Sequence, residues 1–149
     1  MGRPVITPHR YMVIDGHSFL FNVPELSKKH GALPRKARGI LIHFLQQVQD
    51  YSGSKVSLVF DGKRQKHDVV QEKGAVEVWY AEEHQTADAL IERAVGSYKR
   101  PAEITVVTAD QQERLTVEAL GACWMSPECF MSWVESVCPP RTTNLLNRC

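Results

Sequence analysis

Three apolar segments of this chain, each of a length typical of a β-strand, run directly into an acidic residue. The residues that follow them are Asp15, Asp61 and Asp110. Continuous apolar runs bounded by turn residues are typical of parallel strands that are covered by helices on both faces of a sheet. Because parallel strands share one C-terminal edge, we expect the three carboxylates to gather along that edge.

Helical patterns lie between the strands. After Pro34, apolar residues recur at helical spacing and predict a long helix. Thr86 is well placed as the N-cap of another helix, whose first turn holds Asp88. This alternation predicts an α/β fold with a mostly parallel, doubly wound sheet. A strand order of 3-2-1-4-5 would bring Asp15 and Asp110 together at the topological switch point.

Length and composition limit the possibilities further. The chain has 149 residues, of which 43% are hydrophobic, and this fits a single domain, predicted here as residues 1–138 followed by a C-terminal tail, 139–149. The net charge is only +1, so attraction to nucleic acid must come from local clusters of Lys and Arg. The apolar runs are too short for membrane spans and no signal peptide is evident, so we expect a soluble cytoplasmic protein with no membrane partner.

The four cysteines all lie in the last quarter of the chain, and none belongs to a CxxC pair. Their spacing is poor for a zinc site, and a cytoplasmic setting favours reduced thiols over disulfides.

Converging carboxylates point to a metal ion. Several carboxylates that lie within a few ångströms repel one another and stay ionised together only if a cation neutralises them. Mg²⁺ and Mn²⁺ prefer oxygen ligands and leave coordination positions open for phosphate oxygens, which favours hydrolysis of a nucleic-acid backbone. Each aspartate alone also has a structural explanation, because Asp is common in turns and in first helical turns. The recurrence of aspartates at corresponding positions favours a shared site.

An ordered set of short motifs resembles a known family. The motifs are DGHSFLF at 15–21, Ala37-Arg38 in the long helix, VFDG at 59–62, TADALIER at 86–93, VVTAD at 106–110 and GA at 121–122. Together they are similar to the YacP-like branch of the NYN domains, which are PIN-like ribonucleases. The resemblance covers almost the whole chain and implies a PIN-like three-layer α/β/α fold.

The resemblance also implies an activity and a site. It implies an endoribonuclease that depends on Mg²⁺ or Mn²⁺, with RNA as a partner and the ribosome as the setting in which some relatives act. By position, Asp15, Asp88 and Asp110 match the acidic residues that bind the metal, and Asp61 is a fourth acidic residue expected among the catalytic set. Glu92 matches a glutamate of the helix motif with a supporting or structural role.

One position departs from the family pattern. Family members usually have DGYN where this chain has DGHS, so Ser18 replaces a side-chain amide. A serine hydroxyl can still donate and accept a hydrogen bond, although its reach is shorter. We expect Ser18 to support the metal-binding residues, and His17 to be a variant of a packing aromatic residue.

Basic residues near the predicted edge are candidates for RNA phosphate contacts, which position a strand without reading its sequence. They are Lys63, Arg64, Lys66 and His67 after the second strand, and Lys28, Lys29, Arg35 and Arg38 near the long helix. A solvated loop explains most of them equally well, whereas Arg38 also matches the family pattern. The tryptophans, Trp79, Trp124 and Trp133, fall within predicted elements and are expected to pack.

Two other functions are compatible with this pattern. A non-catalytic RNA- or ribosome-binding module would keep the fold and bind RNA in a salt-sensitive way without metal. A receiver-like or flavodoxin-like signalling domain also places carboxylates at strand ends, but the TADALIER motif and the lack of a suitable phosphoacceptor-lysine arrangement argue against it.

Overall fold

The computed structural model describes residues 8–22, 34–60, 74–81 and 85–147. Five strands and six α-helices are formed within these ranges. In chain order they are β1 (Tyr11–Asp15), α1 (Gly16–Asn22), α2 (Pro34–Ser52), β2 (Lys55–Phe60), β3 (Glu77–Tyr80), α3 (Ala87–Ser97), β4 (Ile104–Val107), α4 (Gln111–Ala119), β5 (Cys123–Met125), α5 (Pro127–Val137) and α6 (Pro140–Asn144).

The five strands form one parallel sheet in the order β3-β2-β1-β4-β5, so the predicted topology is confirmed. In the register of β1 with β2, Asp15 lies beside Val59. In the register of β1 with β4, Ile14 lies beside Val107. The next residue of that segment, Thr108, therefore comes level with Asp15 at the C-terminal edge of the sheet.

Helices cover both faces of the sheet. Because alternate strand residues point to opposite sides, a single strand contributes side chains to the cores on both faces. On one face Met12 and Ile14 join a core that is completed by α1, α2 and α5, with Phe19, Leu41, Phe44, Leu45, Phe130 and Val134 buried. On the other face Val13 joins a core that is completed by α3 and α4, with Ala87, Ile91, Val95 and Val117 buried. The three-layer α/β/α architecture is confirmed.

Side-chain caps fix where three helices begin. Thr86 Oγ1 accepts a hydrogen bond from Ala89 N at 3.0 Å at the start of α3. Ser126 Oγ accepts one from Cys129 N at 3.0 Å at the start of α5. The third cap is Asp110, at the start of α4. Each satisfies an N–H group that has no partner inside its helix, and this anchors the helix start at the sheet edge.

The segment after Pro139, which the sequence analysis treats as a tail, packs against α2. Leu146 is fully buried and belongs to the larger of the two cores. Thr142 is buried as well, and its Oγ1 lies 3.1 Å from Gln47 Oε1 of α2. At least Leu146 of this segment therefore contributes to the hydrophobic core.

The tryptophans pack within the fold as the sequence predicts, and the cysteines form no disulfide among the described residues. Trp79 and Trp133 pack against the cores, and Trp124 Nε1 donates to Thr108 O at 2.8 Å. The thiols of Cys123, Cys129 and Cys138 are free, and Cys149 lies outside the described residues. Among the helices that the structure describes, none combines the length and the apolar character needed to cross a bilayer.

Candidate metal centre

Asp15 ends β1 at the C-terminal edge of the sheet and is 5% exposed. Its Oδ2 accepts hydrogen bonds from Ser18 Oγ at 2.9 Å and from Thr108 Oγ1 at 3.1 Å. Its Oδ1 lies 3.4 Å from Ser18 N, the position of an N-cap acceptor for α1. These donors hold the carboxylate in one orientation while it is almost removed from solvent.

Two further carboxylates meet Asp15 at this edge. Asp88 comes from the first turn of α3, and Glu113 from the first turn of α4. One oxygen from each of the three residues lies within 4.8 Å of the others. Asp15 and Glu113 are buried and Asp88 is half-buried, so three carboxyl groups that favour hydration share a volume with little access to water.

Thr108, the residue after β4, links two of these carboxylates. Its hydroxyl oxygen lies 3.1 Å from Asp15 Oδ2 and 3.2 Å from Glu113 Oε2, and it accepts a hydrogen bond from Asp110 N at 3.1 Å. A hydroxyl group has a single proton to donate, so it satisfies only one of the two carboxylate oxygens at a time. Ser18 Oγ, 3.3 Å from the Thr108 hydroxyl, completes the polar network.

Glu113 carries the largest electrostatic cost. Burial raises the pKa of its carboxyl group to about 10, helped by a hydrogen bond with Asp88 and by the negative charges of Asp15 and Asp88, while the Thr108 hydroxyl opposes the shift. Within the described residues, Glu113 Oε1 is buried with no hydrogen-bond donor. Asp88 is an acceptor too when ionised, so the two carboxyl groups bond directly only if a proton lies between them.

The donor set fits a divalent cation. A cation between the three carboxyl groups would give Glu113 Oε1 a partner and would offset the repulsion that otherwise keeps Glu113 protonated. All three ligands are carboxylate oxygens, which suit hard ions such as Mg²⁺ and Mn²⁺ and do not suit metals that prefer sulfur or imidazole. The centre can therefore hold a divalent metal.

The structure groups the predicted ligands differently from the sequence analysis. Asp15 and Asp88 lie together as expected, whereas the side chain of Asp110 caps α4. Asp110 Oδ1 accepts hydrogen bonds from Gln112 N at 2.9 Å and from Glu113 N at 3.4 Å, and the residue is exposed. Glu113, three residues after Asp110 in the first turn of the same helix, occupies the third position of the cluster.

The other predicted site residues fall into two groups. Asp61, Lys63, Arg64 and Lys66 lie outside the described residues, as do Lys28, Lys29 and His67. Ser18 contacts Asp15 as described, and Arg38 lies on the rings of Phe60 and Tyr80. Glu92 is half-buried one helical turn beyond Asp88 and is not one of the three clustered acids.

Comparison with known proteins gives the family. The model of the YacP-like NYN domain matches residues 12–144. The chain belongs to the YacP-like NYN domain family. It is 29% identical over 128 residues to "Uncharacterized protein YacP" of Bacillus subtilis (strain 168), a match that covers 85% of this chain and 75% of the relative.

Solved structures of YacP-like NYN domains have the same fold. The crystal structure of Rae1 (YacP) from Bacillus subtilis superimposes with a TM-score of 0.73 at 27% identity, covering 85% of this chain and 74% of that one. A single-residue mutant of the same protein gives a TM-score of 0.71 at 27% identity, covering 85% and 76%. Membership of the YacP-like NYN family suggests a PIN-like nuclease, and the acidic cluster at the sheet edge agrees with that class.

Proposed function

We propose that this chain is a divalent-metal-dependent endoribonuclease in which Asp15, Asp88 and Glu113 hold Mg²⁺ or Mn²⁺. The observation that carries the proposal is the convergence of these three carboxyl groups within 4.8 Å at the C-terminal edge of a parallel sheet. Such an edge is where α/β domains of this topology bind their ligands. The buried Glu113 Oε1, which has no donor among the residues that the structure describes, points to a positive partner at the same place.

When bound, a divalent ion would supply a charge that lowers the pKa of water and neutralises the charge that develops on a phosphodiester. The surrounding residues of the chain prepare the site for it. Ser18 and Thr108 orient Asp15 through its Oδ2. Asp110 caps α4 and so fixes the backbone from which Glu113 extends. The rigidity of these contacts lowers the reorganisation needed when substrate binds.

The substrate we propose is RNA, because the family suggests a PIN-like nuclease. Action on ribosome-associated mRNA in the cytoplasm belongs to the same proposal and rests on the resemblance to relatives. Asp61 would be a further acidic catalytic residue, and Lys63, Arg64 and Lys66 would contact RNA. Glu92 would have a supporting role next to Asp88.

The proposal is tested by cleavage of a mixed pool of end-labelled RNAs in Mg²⁺, in Mn²⁺ and in EDTA. Asp88→Asn removes one ligand charge without changing side-chain volume, and we expect it to lower the cleavage rate by at least about a hundredfold. Asp50→Asn is the matched control, because Asp50 is exposed near the end of α2 and contacts Gln46 there. Equal cleavage by wild type and Asp88→Asn, or full cleavage in EDTA, would refute the proposal.

A non-catalytic RNA-binding module remains the second candidate, and Ser18 in place of the usual amide is the observation that favours it. Within the structure, however, Ser18 Oγ still reaches Asp15 Oδ2 at 2.9 Å, so the orienting contact is kept by the shorter side chain. This second function predicts metal-independent, salt-sensitive RNA binding and no cleavage under any of the three conditions.

A further inference from the structure

We propose that Arg38, Phe60 and Tyr80 form an RNA phosphate subsite beside the metal centre, here called the arginine–aromatic subsite. The inference rests on the proposed function, since it assigns a place for the strand that would be cut. In this subsite the guanidinium group of Arg38 would receive the phosphate, and Phe60 and Tyr80 would hold that group in position.

Two aromatic rings form the base of the subsite. Phe60 and Tyr80 end β2 and β3, and they are neighbours in the register of these strands. Their ring centroids are 5.9 Å apart, with the planes tilted by 31°. Adjacent residues in parallel register point to the same face of a sheet, so the rings form one aromatic surface at the C-terminal edge.

Arg38 lies across this surface. Its guanidinium carbon is 5.4 Å from the Phe60 centroid and 5.9 Å from the Tyr80 centroid, within the range of cation–π contacts. A cation–π contact holds the guanidinium group by its charge and does not use its N–H donors, which can therefore bond to a ligand. An arginine fixed in this way loses less side-chain entropy on binding and can present two parallel donors to a phosphate.

Arg38 also differs from three other arginines of the described chain, Arg10, Arg100 and Arg114, in its charge environment. Arg114 pairs with Glu118 at 2.7 Å, and Arg10 and Arg100 lie 3.6 and 3.7 Å from Glu103. Within the described ranges, no carboxylate forms an ion pair with Arg38. A half-buried cation that no carboxylate of the described ranges neutralises is suited to an anionic ligand.

The position of Phe60 connects the subsite to the metal centre. A Cβ atom added to Gly16 would lie 2.4 Å from Phe60 Cε1 and 2.9 Å from Val59 O, so the ring packs directly on the backbone that follows Asp15. One aromatic ring thus separates Arg38 from the residue after a proposed metal ligand. A phosphate held by Arg38 would belong to the strand that also reaches the metal centre, and its attraction to Arg38 would offset the repulsion of that strand by the acidic cluster.

Binding of a fluorescent, 2′-O-methylated single-stranded RNA in EDTA tests the subsite without cleavage. We expect Arg38→Gln to bind about tenfold more weakly than wild type, since a charge-assisted contact is lost. We also expect the slope of log affinity against log salt to fall by about 0.7, the value for one phosphate contact on a single strand. Arg38→Lys keeps the charge without the planar donor pair and should lie between the two.

Arg141→Gln is the matched control. The guanidinium carbon of Arg141 lies 5.5 Å from the Tyr51 ring centroid, a similar cation–π distance near the other end of α2, and the group also donates a hydrogen bond to the Tyr51 hydroxyl. Residues 38 and 51 of α2 are about 20 Å apart at ~1.5 Å per residue. This variant should keep the affinity and the salt slope of wild type.

The proposal of this subsite would be refuted if Arg38→Gln kept the RNA affinity and the salt slope of wild type. It would also be refuted if the wild-type protein bound no RNA. A circular dichroism spectrum of each variant excludes loss of fold as the cause of weaker binding. The two proposals fail separately. A wild type that binds RNA through Arg38 but never cuts it refutes the nuclease alone, whereas cleavage with unchanged binding by Arg38→Gln refutes the subsite alone.

Discussion

Among single residues, Glu113 determines the electrostatics of the candidate metal centre. Its carboxyl group is buried among other acidic groups, and its Oε1 has no donor within the described chain. A buried acid of this kind keeps its proton until a cation replaces it. Metal binding and proton release at Glu113 should therefore be linked, with tighter divalent binding as pH rises.

The pKa of Glu113 predicts how the stability of the metal-free protein depends on pH. The pKa rises from 4.5 to about 10 on folding, so the folded state holds an extra proton between those values. The free energy of unfolding should therefore fall as pH rises through this window. Glu113→Gln removes this titration, and in EDTA at about pH 9 it should be more stable than wild type by on the order of 1–3 kcal/mol.

Urea denaturation in EDTA at about pH 5 and about pH 9 measures this effect. Glu118→Gln is the control, since Glu118 is exposed on the same helix and pairs with Arg114. Parallel pH profiles for wild type and Glu113→Gln would show that the proton on Glu113 does not contribute to folding stability.

Asp110 can be tested as a cap or as a ligand. Asn is as good an N-cap as Asp, so Asp110→Asn should keep both stability and Mn²⁺ affinity, while Asp110→Ala should lose about 1 kcal/mol of stability. The sequence-based hypothesis that Asp110 binds metal predicts instead that Asp110→Asn weakens Mn²⁺ binding. Thermal unfolding and a Mn²⁺ titration of both variants decide between the two roles.

The sequence was informative about some residues of the site and not about others. Asp15 and Asp88 follow rules of position, one at the end of a buried strand and one just inside a capped helix. Glu113 resembles any glutamate in a first helical turn. Two signals could have found it: Asp110 and Glu113 have the spacing of a capping box, and Glu113 lies four residues before the buried Val117.

At the scale of elements, the junction of β1 and α1 depends on close approach to β2. Gly16→Ala would place a Cβ atom within 3 Å of the Phe60 ring and of Val59 O, so we expect a loss of about 1–3 kcal/mol of stability. Gly39→Ala is the control, because Gly39 lies in α2 with open space around it and should gain up to about 1 kcal/mol. Urea denaturation at neutral pH measures both. An unchanged free energy of unfolding in Gly16→Ala would show that the β1–α1 junction can shift to accommodate the added methyl group.

Elements were largely predictable because their signals are local. The N-caps at Thr86, Asp110 and Ser126 and the apolar spacing of α2 each lie within a few residues of the feature that they predict. The third member of the acidic cluster depends on how α3 and α4 lie against one another, which no local pattern encodes.

At the scale of the whole molecule, alternation of strands and helices with right-handed crossovers restricted the sheet to a few topologies, and the predicted order 3-2-1-4-5 is the one formed. The packing of the C-terminal segment was not predictable in the same way. Leu145 and Leu146 are two apolar residues in a polar stretch without a periodic pattern. Their burial depends on a surface of α2 that only the folded chain presents.

Leu146 therefore tests whether this segment is part of the core. Leu146→Ala should cost about 2–5 kcal/mol, the range for a fully buried leucine. Leu115→Ala is the control and should be almost neutral, since Leu115 is 68% exposed. Thermal or urea unfolding of the two variants provides the comparison, and equal effects would favour the prediction that residues 139–149 are a tail.

Calorimetric titration of the metal-free protein with Mn²⁺ tests whether Asp15, Asp88 and Glu113 hold one divalent cation together. The wild type and Glu118→Gln should bind one Mn²⁺ with similar affinity. Glu113→Gln should bind at least about tenfold more weakly, because a carboxylate ligand is lost. Wild-type affinity for Mn²⁺ in Glu113→Gln, or no Mn²⁺ binding by the wild type, would show that the three carboxyl groups do not form a metal site.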